Sequence, residues 1–151
     1  MKLATFTHQG KTRIGVVAGD SVVDLGVAAP ALPREMVAFL NAGREAMDLA
    51  RKAADGTAGR IALSVVKLEA PISRPPEFLA IGLNYADHVA ETGREKPSFP
   101  MFFNKQNTCV TGPTDPIHLP RASKALDYEG ELGFVIGRKC RHVPRDRAHE
   151  V

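Results

Sequence analysis

The sequence predicts an α+β fold in which a small N-terminal β-meander with helices is followed by the start of a mixed, mainly β domain. Three observations support this prediction. Short strand-like runs begin the chain, two helical patterns follow within residues 33–54, and further short apolar runs lie beyond a proline-rich stretch. With 151 residues, of which 44% are hydrophobic and 25% charged, the chain can bury a core and is not a largely disordered protein.

The first three apolar runs predict an antiparallel meander. They lie at residues 3–7, 13–17 and 21–24. Gly10 and Gly19 lie in the segments between them, and glycine is typical of the tight turns that join antiparallel strands.

Two helices are predicted after the meander. Residues 33–40 begin with Pro33, which is favoured in a first helical turn, repeat apolar side chains at helical spacing and stop at residues 41–43. A second helix is predicted from Arg44 to Ala54, ending at an Asp-Gly pair.

A proline-rich stretch predicts the domain boundary. Residues 67–76 contain Pro71, Pro75 and Pro76. Each proline fixes its own φ and restricts the residue before it, so this stretch is extended. The sequence therefore predicts a small N-terminal domain over residues 1–70 and the N-terminal part of a second domain over residues 71–151.

The second domain is predicted to contain short buried strands and one helix. Near-continuous apolar runs at residues 78–83 and 101–105 are typical of strands buried on both faces. Between them, residues 84–92 predict a helix that Asn84 caps and Gly93 ends.

Two further strands are predicted near the end of the sequence, at residues 117–119 and 127–137. Residues 144–151 begin like a helix, with Pro144 in the first turn, but supply only about two turns, which is too short for an isolated helix to be stable in water. We therefore expect the natural polypeptide to continue beyond Val151 into at least one more strand.

Charge and composition exclude several functional classes. The net charge of +3 is a mild excess spread along the chain, which does not support nucleic-acid binding. The sequence contains no apolar run long enough for a membrane span or a signal peptide. Cys109 and Cys140 have neither metal-ligand spacing nor a disulfide pattern, so we expect free thiols and a cytoplasmic protein.

A Glu-x-Glu pair is the first candidate site. If residues 127–137 form a strand, Asp127, Glu129 and Glu131 share one face. Unpaired ionised carboxylates are costly to bury, and a cation that prefers oxygen ligands, Mg²⁺, Mn²⁺ or Ca²⁺, would compensate. The alternative is an exposed face, or pairing with Arg121 and Lys124, and spacing alone favours that alternative.

Two further candidates lie earlier in the second domain. His88 and Glu91 are three residues apart on the predicted helix, so the carboxylate can orient the imidazole for activation of a water molecule. The alternative is a surface His-Glu pair. Lys105 ends a predicted strand, where its ammonium group could bind an anionic substrate or simply extend into solvent.

Four segments in this order resemble motifs of the fumarylacetoacetate hydrolase family. They are AIGLNYADHVAE at residues 80–91, PMFFNK at 100–105, TGP at 111–113 and DYEGELGFVIG at 127–137. The resemblance is strong over residues 71–147. Residues 1–70 resemble the small N-terminal domain of bacterial members more loosely.

This resemblance implies a catalytic domain with a mixed β roll, usually a homodimer, that binds one Mg²⁺ or Mn²⁺. Glu129 and Glu131 match the family's Glu-x-Glu metal ligands, and the family takes a third ligand, an Asp, from a strand that would follow Val151. His88 and Glu91 match the dyad that prepares a water molecule or a proton transfer. Lys105 matches a lysine near the acid group of the substrate.

The resemblance also implies a reaction class. The expected activity is metal-dependent hydrolysis of a carbon–carbon bond in a small acylpyruvate or related 2-oxo acid of aromatic catabolism. One alternative is isomerisation or decarboxylation of a hydroxymuconate-type acid on the same fold. Another is a non-catalytic fragment that lacks the third metal ligand.

Overall fold

The computed structural model describes all 151 residues and confirms the α+β class. It has two compact units. One comprises Met1–Pro71 and Gly112–Val151, and the other comprises Ile72–Thr111. The division into domains at residues 1–70 and 71–151 stays a prediction.

The first unit is built on a five-stranded antiparallel sheet with the order β4-β3-β2-β1-β5. Its strands are β1 (Lys2–His8), β2 (Lys11–Ala18), β3 (Ser21–Asp24), β4 (Arg60–Ala62) and β5 (Lys67–Leu68). The predicted meander is confirmed. Gln9 and Gly10 both have positive φ, 49° and 72°, as a two-residue hairpin turn of the type that suits strand twist requires.

Three helices follow β3 in the first unit: α1 (Leu25–Ala28), α2 (Met36–Asn41) and α3 (Gly43–Ala54). The second predicted helix is confirmed by α3. The predicted start of the first helix at Pro33 is wrong, because the carboxylate of Glu35 accepts hydrogen bonds from the amides of Val37 and Ala38, at 3.3 and 3.1 Å, and caps the helix there.

The core of the first unit lies between the sheet and these helices. Its largest fully buried apolar side chains are Phe6, Val22, Val23, Leu25 and Phe39. Helix α3 contacts β2 and buries only alanines on its inner face, Ala46 and Ala50, which permits a close approach. Gly15 of β2 lies so close to β3 that a Cβ atom there would be 2.6 Å from both Val22 Cγ2 and the Val23 carbonyl oxygen.

The second unit contains an antiparallel pair, β6 (Leu79–Gly82) and β7 (Met101–Asn104), with the short helix α4 (Ala86–Glu91) between them. The two strands confirm the predicted runs, but the predicted burial on both faces is wrong. Leu79 is 57% exposed and Phe102 64% exposed. A two-stranded ribbon has no second layer within this unit to cover its faces.

The predicted helix of the second unit is confirmed, but its cap is wrong: Tyr85 occupies the N-cap position, where its side chain makes no capping hydrogen bond, and Asn84 precedes it. Leu83 adopts a positive φ of 52°, which turns the chain sharply between β6 and α4.

Residues 112–151 of the first unit are mostly irregular, so the predicted strands at 117–119 and 127–137 are wrong. A strand needs a neighbouring strand to accept its backbone hydrogen bonds, and this segment pairs with none. Its apolar side chains are exposed, Tyr128 by 90% and Phe134 by 77%. The predicted terminal helix is a 3₁₀ helix, Arg145–Glu150.

No helix of the protein is long and apolar enough to cross a membrane, and the longest, α3, has 12 residues.

Candidate functional site

The His88–Glu91 dyad forms as the sequence spacing predicts. Both side chains project from α4, and His88 Nδ1 lies 4.0 Å from Glu91 Oε2. This separation is an ion-pair distance and exceeds that of a hydrogen bond, so a small rotation of either side chain would be needed to join them directly. The side chains are 46% and 79% exposed, which leaves the imidazole accessible to a small molecule.

Helix α4 is stabilised at its C-terminal end by local hydrogen bonds. Val89 is the one buried residue of the helix. The Thr92 hydroxyl donates to the Val89 carbonyl oxygen at 3.0 Å, and the Thr92 amide donates to the His88 carbonyl oxygen at 3.1 Å. Gly93 then ends the helix with a φ of 63°, a conformation that glycine adopts without strain. The dyad therefore lies on a short helix with a defined end.

Lys105 follows β7 and keeps its ammonium group in solvent. Its amide donates to the Phe78 carbonyl oxygen at 2.8 Å, which extends the β6–β7 pairing by one hydrogen bond. Its Nζ lies 5.1 Å from the centre of the Phe103 ring, two residues earlier on the same strand face. The ring limits where the ammonium group can move without neutralising it, so the lysine remains available to an anion.

Glu129 and Glu131 are exposed carboxylates in the irregular segment. Neither forms an ion pair, so of the alternative predicted from spacing the exposed position is present and the pairing with Arg121 or Lys124 is not. Asp127 differs, because its Oδ1 accepts a hydrogen bond from the Tyr128 amide at 2.8 Å.

The donor chemistry of the Glu-x-Glu pair fits a hard divalent cation, although the chain does not assemble a full ligand set. Neither unit gathers three or more His, Cys, Asp or Glu side chains in an arrangement that could hold a metal ion. Mg²⁺ is usually held by one or two carboxylates and keeps several water or substrate ligands. Two free carboxylates separated by one residue are consistent with that mode.

A second charged cluster is structural. In the first unit, Lys67 Nζ lies 2.6 Å from Asp115 Oδ1 and 3.3 Å from Glu69 Oε2. The hydrogen bond to Asp115, followed by that to Glu69, raises the pKa of Lys67 above its ordinary value. Asp115 Oδ2 also accepts from the Gly112 amide at 2.9 Å. These contacts tie residues 112–115 to strand β5.

A third cluster holds the 3₁₀ helix at the end of the chain. Arg147 Nη2 donates a hydrogen bond to Glu150 Oε2 at 2.8 Å, and Arg138 Nη2 donates to the same oxygen at 3.4 Å. The hydrogen bond from Arg147 holds the pKa of Glu150 below its usual range, and the same contact raises the pKa of Arg147.

Sequence reasoning missed a buried ion pair in the first unit. Asp24 is 1% exposed, accepts a hydrogen bond from Arg13 Nη1 at 2.5 Å and accepts another from the Gly26 amide at 2.8 Å. The available signal was an Asp directly before Leu25 and Gly26, since Asp at the end of a strand is a typical helix N-cap. The partner could not be inferred, because Arg13 comes from the neighbouring strand.

Comparison with known proteins gives one matching family model, described as fumarylacetoacetate (FAA) hydrolase C-terminal, over residues 77–151. The chain is 40% identical to oxaloacetate tautomerase Fahd2a, mitochondrial, of Rattus norvegicus over 147 residues. That match covers 95% of this chain and 47% of the tautomerase. The corresponding tautomerase of Xenopus laevis is 38% identical over 152 residues, covering 98% of this chain and 48% of that protein. The chain spans about half the length of the curated relatives it matches.

Solved structures give a consistent picture. A structure from Mycobacterium abscessus matches with a TM-score of 0.66 at 30% identity, covering 99% of this chain and 51% of that one. Maleylpyruvate hydrolase from Sphingobium sp. SYK-6, solved in complex with manganese(II) ion and pyruvate, matches with a TM-score of 0.60 at 31% identity. That match covers 80% of this chain and 43% of the hydrolase.

Proposed function

Because the chain belongs to the fumarylacetoacetate hydrolase family, we propose that it acts in an enzyme that moves protons next to the carbonyl group of a small 2-oxo acid. The observation that carries this proposal is the accessible His88–Glu91 pair at 4.0 Å. Imidazole is the side chain best suited to accept and donate protons near neutral pH, and a neighbouring carboxylate keeps it oriented.

His88, Glu91 and Lys105 each have a role that suits their chemistry. His88 takes a proton from water or from the carbon beside the carbonyl group and returns it later in the reaction. Glu91 orients the imidazole and stabilises its protonated form. Lys105, whose ammonium group is exposed beside Phe103, binds the carboxylate of the substrate.

Glu129 and Glu131 would supply two carboxylates to a divalent cation, Mg²⁺ or Mn²⁺. Their free, oxygen-rich donor set supports this assignment, as does the manganese(II) ion in the maleylpyruvate hydrolase structure. A bound divalent cation supplies positive charge that stabilises the negative charge developing on the carbonyl oxygen of the substrate.

The first reaction that we propose is hydrolysis of an acylpyruvate. The oxygen of a water molecule adds to the acyl carbonyl carbon, and the bond from that carbon to the methylene carbon of the pyruvate unit breaks. The methylene carbon takes up a proton, so the products are pyruvate and a carboxylic acid. His88 would remove the proton from water and deliver it to the methylene carbon. The maleylpyruvate hydrolase neighbour supports this reaction, at 31% identity.

A second candidate is the keto–enol tautomerisation of oxaloacetate, favoured by the 40% identity to the rat tautomerase over 95% of this chain. Here a proton moves between the methylene carbon and the enol oxygen, and no water is consumed. The same dyad serves both reactions.

We also propose that the protein is a homodimer in the cytoplasm. The two exposed free cysteines, Cys109 and Cys140, are consistent with a reducing compartment.

The test measures both reactions of the 151-residue chain with Mn²⁺: pyruvate release from acetylpyruvate, and decay of the enol absorbance of freshly dissolved oxaloacetate. His88→Ala should lower the active reaction about 100-fold or more, the usual range for a lost general base. Glu91→Gln should cost roughly tenfold, because water can partly replace an orienting group. His118→Ala, at an exposed histidine outside the dyad, is the matched control.

The outcomes separate the hypotheses. Release of pyruvate supports hydrolysis, and faster enol decay without pyruvate supports tautomerisation. A folded chain that binds Mn²⁺ and catalyses neither reaction would contradict the proposal, whereas a folded chain that does not bind Mn²⁺ would favour the non-catalytic fragment that lacks the third metal ligand. For the metal, Glu129→Gln should weaken Mn²⁺ binding about tenfold or more by titration calorimetry, the loss expected for one charge-assisted ligand. The Glu95→Gln variant serves as its control, and equal affinity in both would exclude Glu129 as a ligand.

A further inference from the structure

A cavity of about 330 Å³ opens beside the buried ion pair in the first unit. It is lined by Lys11, Thr12, Arg13, Ile14, Asp24, Gly26 and Arg34. The cavity is open to solvent and large enough to admit a small organic ion. All of its lining residues belong to the sheet and the α1–α2 region, and none belongs to the dyad or the Glu-x-Glu pair.

The charges around this cavity do not balance. Three cationic side chains line it, and the single carboxylate, that of Asp24, is 1% exposed and engaged by Arg13 and the Gly26 amide. The side chains of Lys11 and Arg34 form no ion pair. The lining therefore carries two more positive charges than negative ones, although the Asp24 carboxylate also lies near the Arg34 guanidinium group.

The guanidinium group of Arg34 packs against the backbone of Gly26. A Cβ atom on Gly26 would collide with Arg34 Nη1, so the guanidinium group lies directly over a residue that has no side chain. The neighbouring carboxylate of Glu35 does not reach it, because that group caps α2 through Val37 and Ala38. The planar guanidinium thus keeps its donors available for an external acceptor.

Arg13 adds a further donor that lacks an acceptor. Its Nη1 binds Asp24, while its Nε is buried and has no hydrogen-bond partner. A buried donor without a partner is uncommon in folded proteins and calls for an explanation. An acceptor in the adjoining cavity, either an anion or a water molecule that the anion orders, would provide one.

We propose that this cavity binds a small dianion between Lys11 and Arg34, at a site separate from the dyad and the Glu-x-Glu pair. Two uncompensated positive charges match a doubly charged ligand, and guanidinium donors suit the paired oxygens of a phosphate or a carboxylate. The shared chemistry is an oxygen dianion small enough for 330 Å³, such as inorganic phosphate or a four-carbon dicarboxylate. This site does not depend on the proposed catalytic activity.

The test uses the ¹⁵N-labelled 151-residue chain, titrated with sodium phosphate and separately with sodium succinate at constant ionic strength. Saturable shifts of the Thr12 and Gly26 amides are expected with at least one of the two dianions. The ligand that binds more tightly identifies the source of the dianion. Sodium chloride at the same ionic strength is the control for simple screening.

Variants locate the binding. Lys11→Ala and Arg34→Ala should each weaken it about tenfold or more, the loss expected for one charge-assisted hydrogen bond. Lys52→Ala, an exposed lysine on α3, should leave it unchanged. Equal urea midpoints would show that the variants remain folded. Absence of saturable shifts with both dianions, shifts reproduced by chloride, or equal affinity in all three variants would each overturn the proposal.

Discussion

Replacing Asp24 by Ala removes the most enclosed charged group of the protein. Asp24 is 1% exposed, and its carboxylate binds Arg13 Nη1 at 2.5 Å and the Gly26 amide at 2.8 Å. Loss of the contact to Gly26 removes the N-cap of α1, which costs about 1 kcal/mol. Loss of the charge-assisted contact costs roughly 1.5–3 kcal/mol, without the full penalty of a buried orphan charge, because the Arg13 side chain is 28% exposed and can be rehydrated.

The sum predicts that Asp24→Ala lowers the free energy of unfolding by about 2.5–4 kcal/mol. Urea denaturation followed by circular dichroism measures this difference directly. Asp24→Asn separates the two parts, since Asn caps helices as well as Asp does and should recover about 1 kcal/mol of the loss.

Asp48→Ala is the matched control for this experiment. Asp48 also lies within hydrogen-bond distance of an arginine, Arg51, at 2.6 Å, but both side chains are about 60% exposed, and exposed pairs of this kind contribute roughly 0–1 kcal/mol. The expected difference between the two variants comes from burial and not from the ion pair as such. If Asp24→Ala costs no more than Asp48→Ala, the buried pair does not stabilise the first unit and the reasoning is refuted.

Two further predictions follow from close contacts in the first unit. Gly15→Ala should lower the free energy of unfolding by roughly 1–3 kcal/mol in urea denaturation, because its Cβ would lie 2.6 Å from Val22 Cγ2 and from the Val23 carbonyl oxygen. Gly130→Ala is the control, since a Cβ there meets nothing within 4 Å. Equal urea midpoints for the two variants would contradict the close packing at Gly15. The pKa of Glu150 is lowered in the folded state by Arg147, so the contact stabilises the fold above the unfolded pKa and this contribution is lost as pH falls through the folded pKa. Arg147→Gln should therefore raise the Glu150 pKa in a carbon-detected NMR titration, and an unchanged value would show that the ion pair does not form in solution.

The parts of the fold that could be predicted from sequence are those determined by local chemistry. The hairpin between β1 and β2 could be predicted because glycine, here Gly10, readily adopts the positive φ that a two-residue hairpin turn requires. Helix α3 could be predicted because its residues are mostly good helix formers. The spacing of His88 and Glu91 likewise predicts that they are neighbours, because residues three apart in an α-helix lie on the same face.

The predictions that failed depend on contacts distant in sequence. Alternation of apolar and polar residues at 127–137 predicts a strand only if a neighbouring strand accepts its hydrogen bonds, and the sheet contains none at that place. The exposure of Phe102 has the same origin, since an apolar run specifies which side chains can be buried but not what covers them. The buried partner of Asp24 was missed because strand pairing brings Arg13 to it.

Exposure also governs how strongly the charged groups of the candidate site can act. The interaction of two charges at a given separation varies inversely with the effective dielectric constant, and it is about four times stronger near a protein surface, at a value of about 20, than in bulk water at about 80. At 4.0 Å, with Glu91 79% exposed, the dyad lies close to the water limit. Any molecule that covers α4, whether substrate or another protein surface, would therefore strengthen the attraction between Glu91 and a protonated His88.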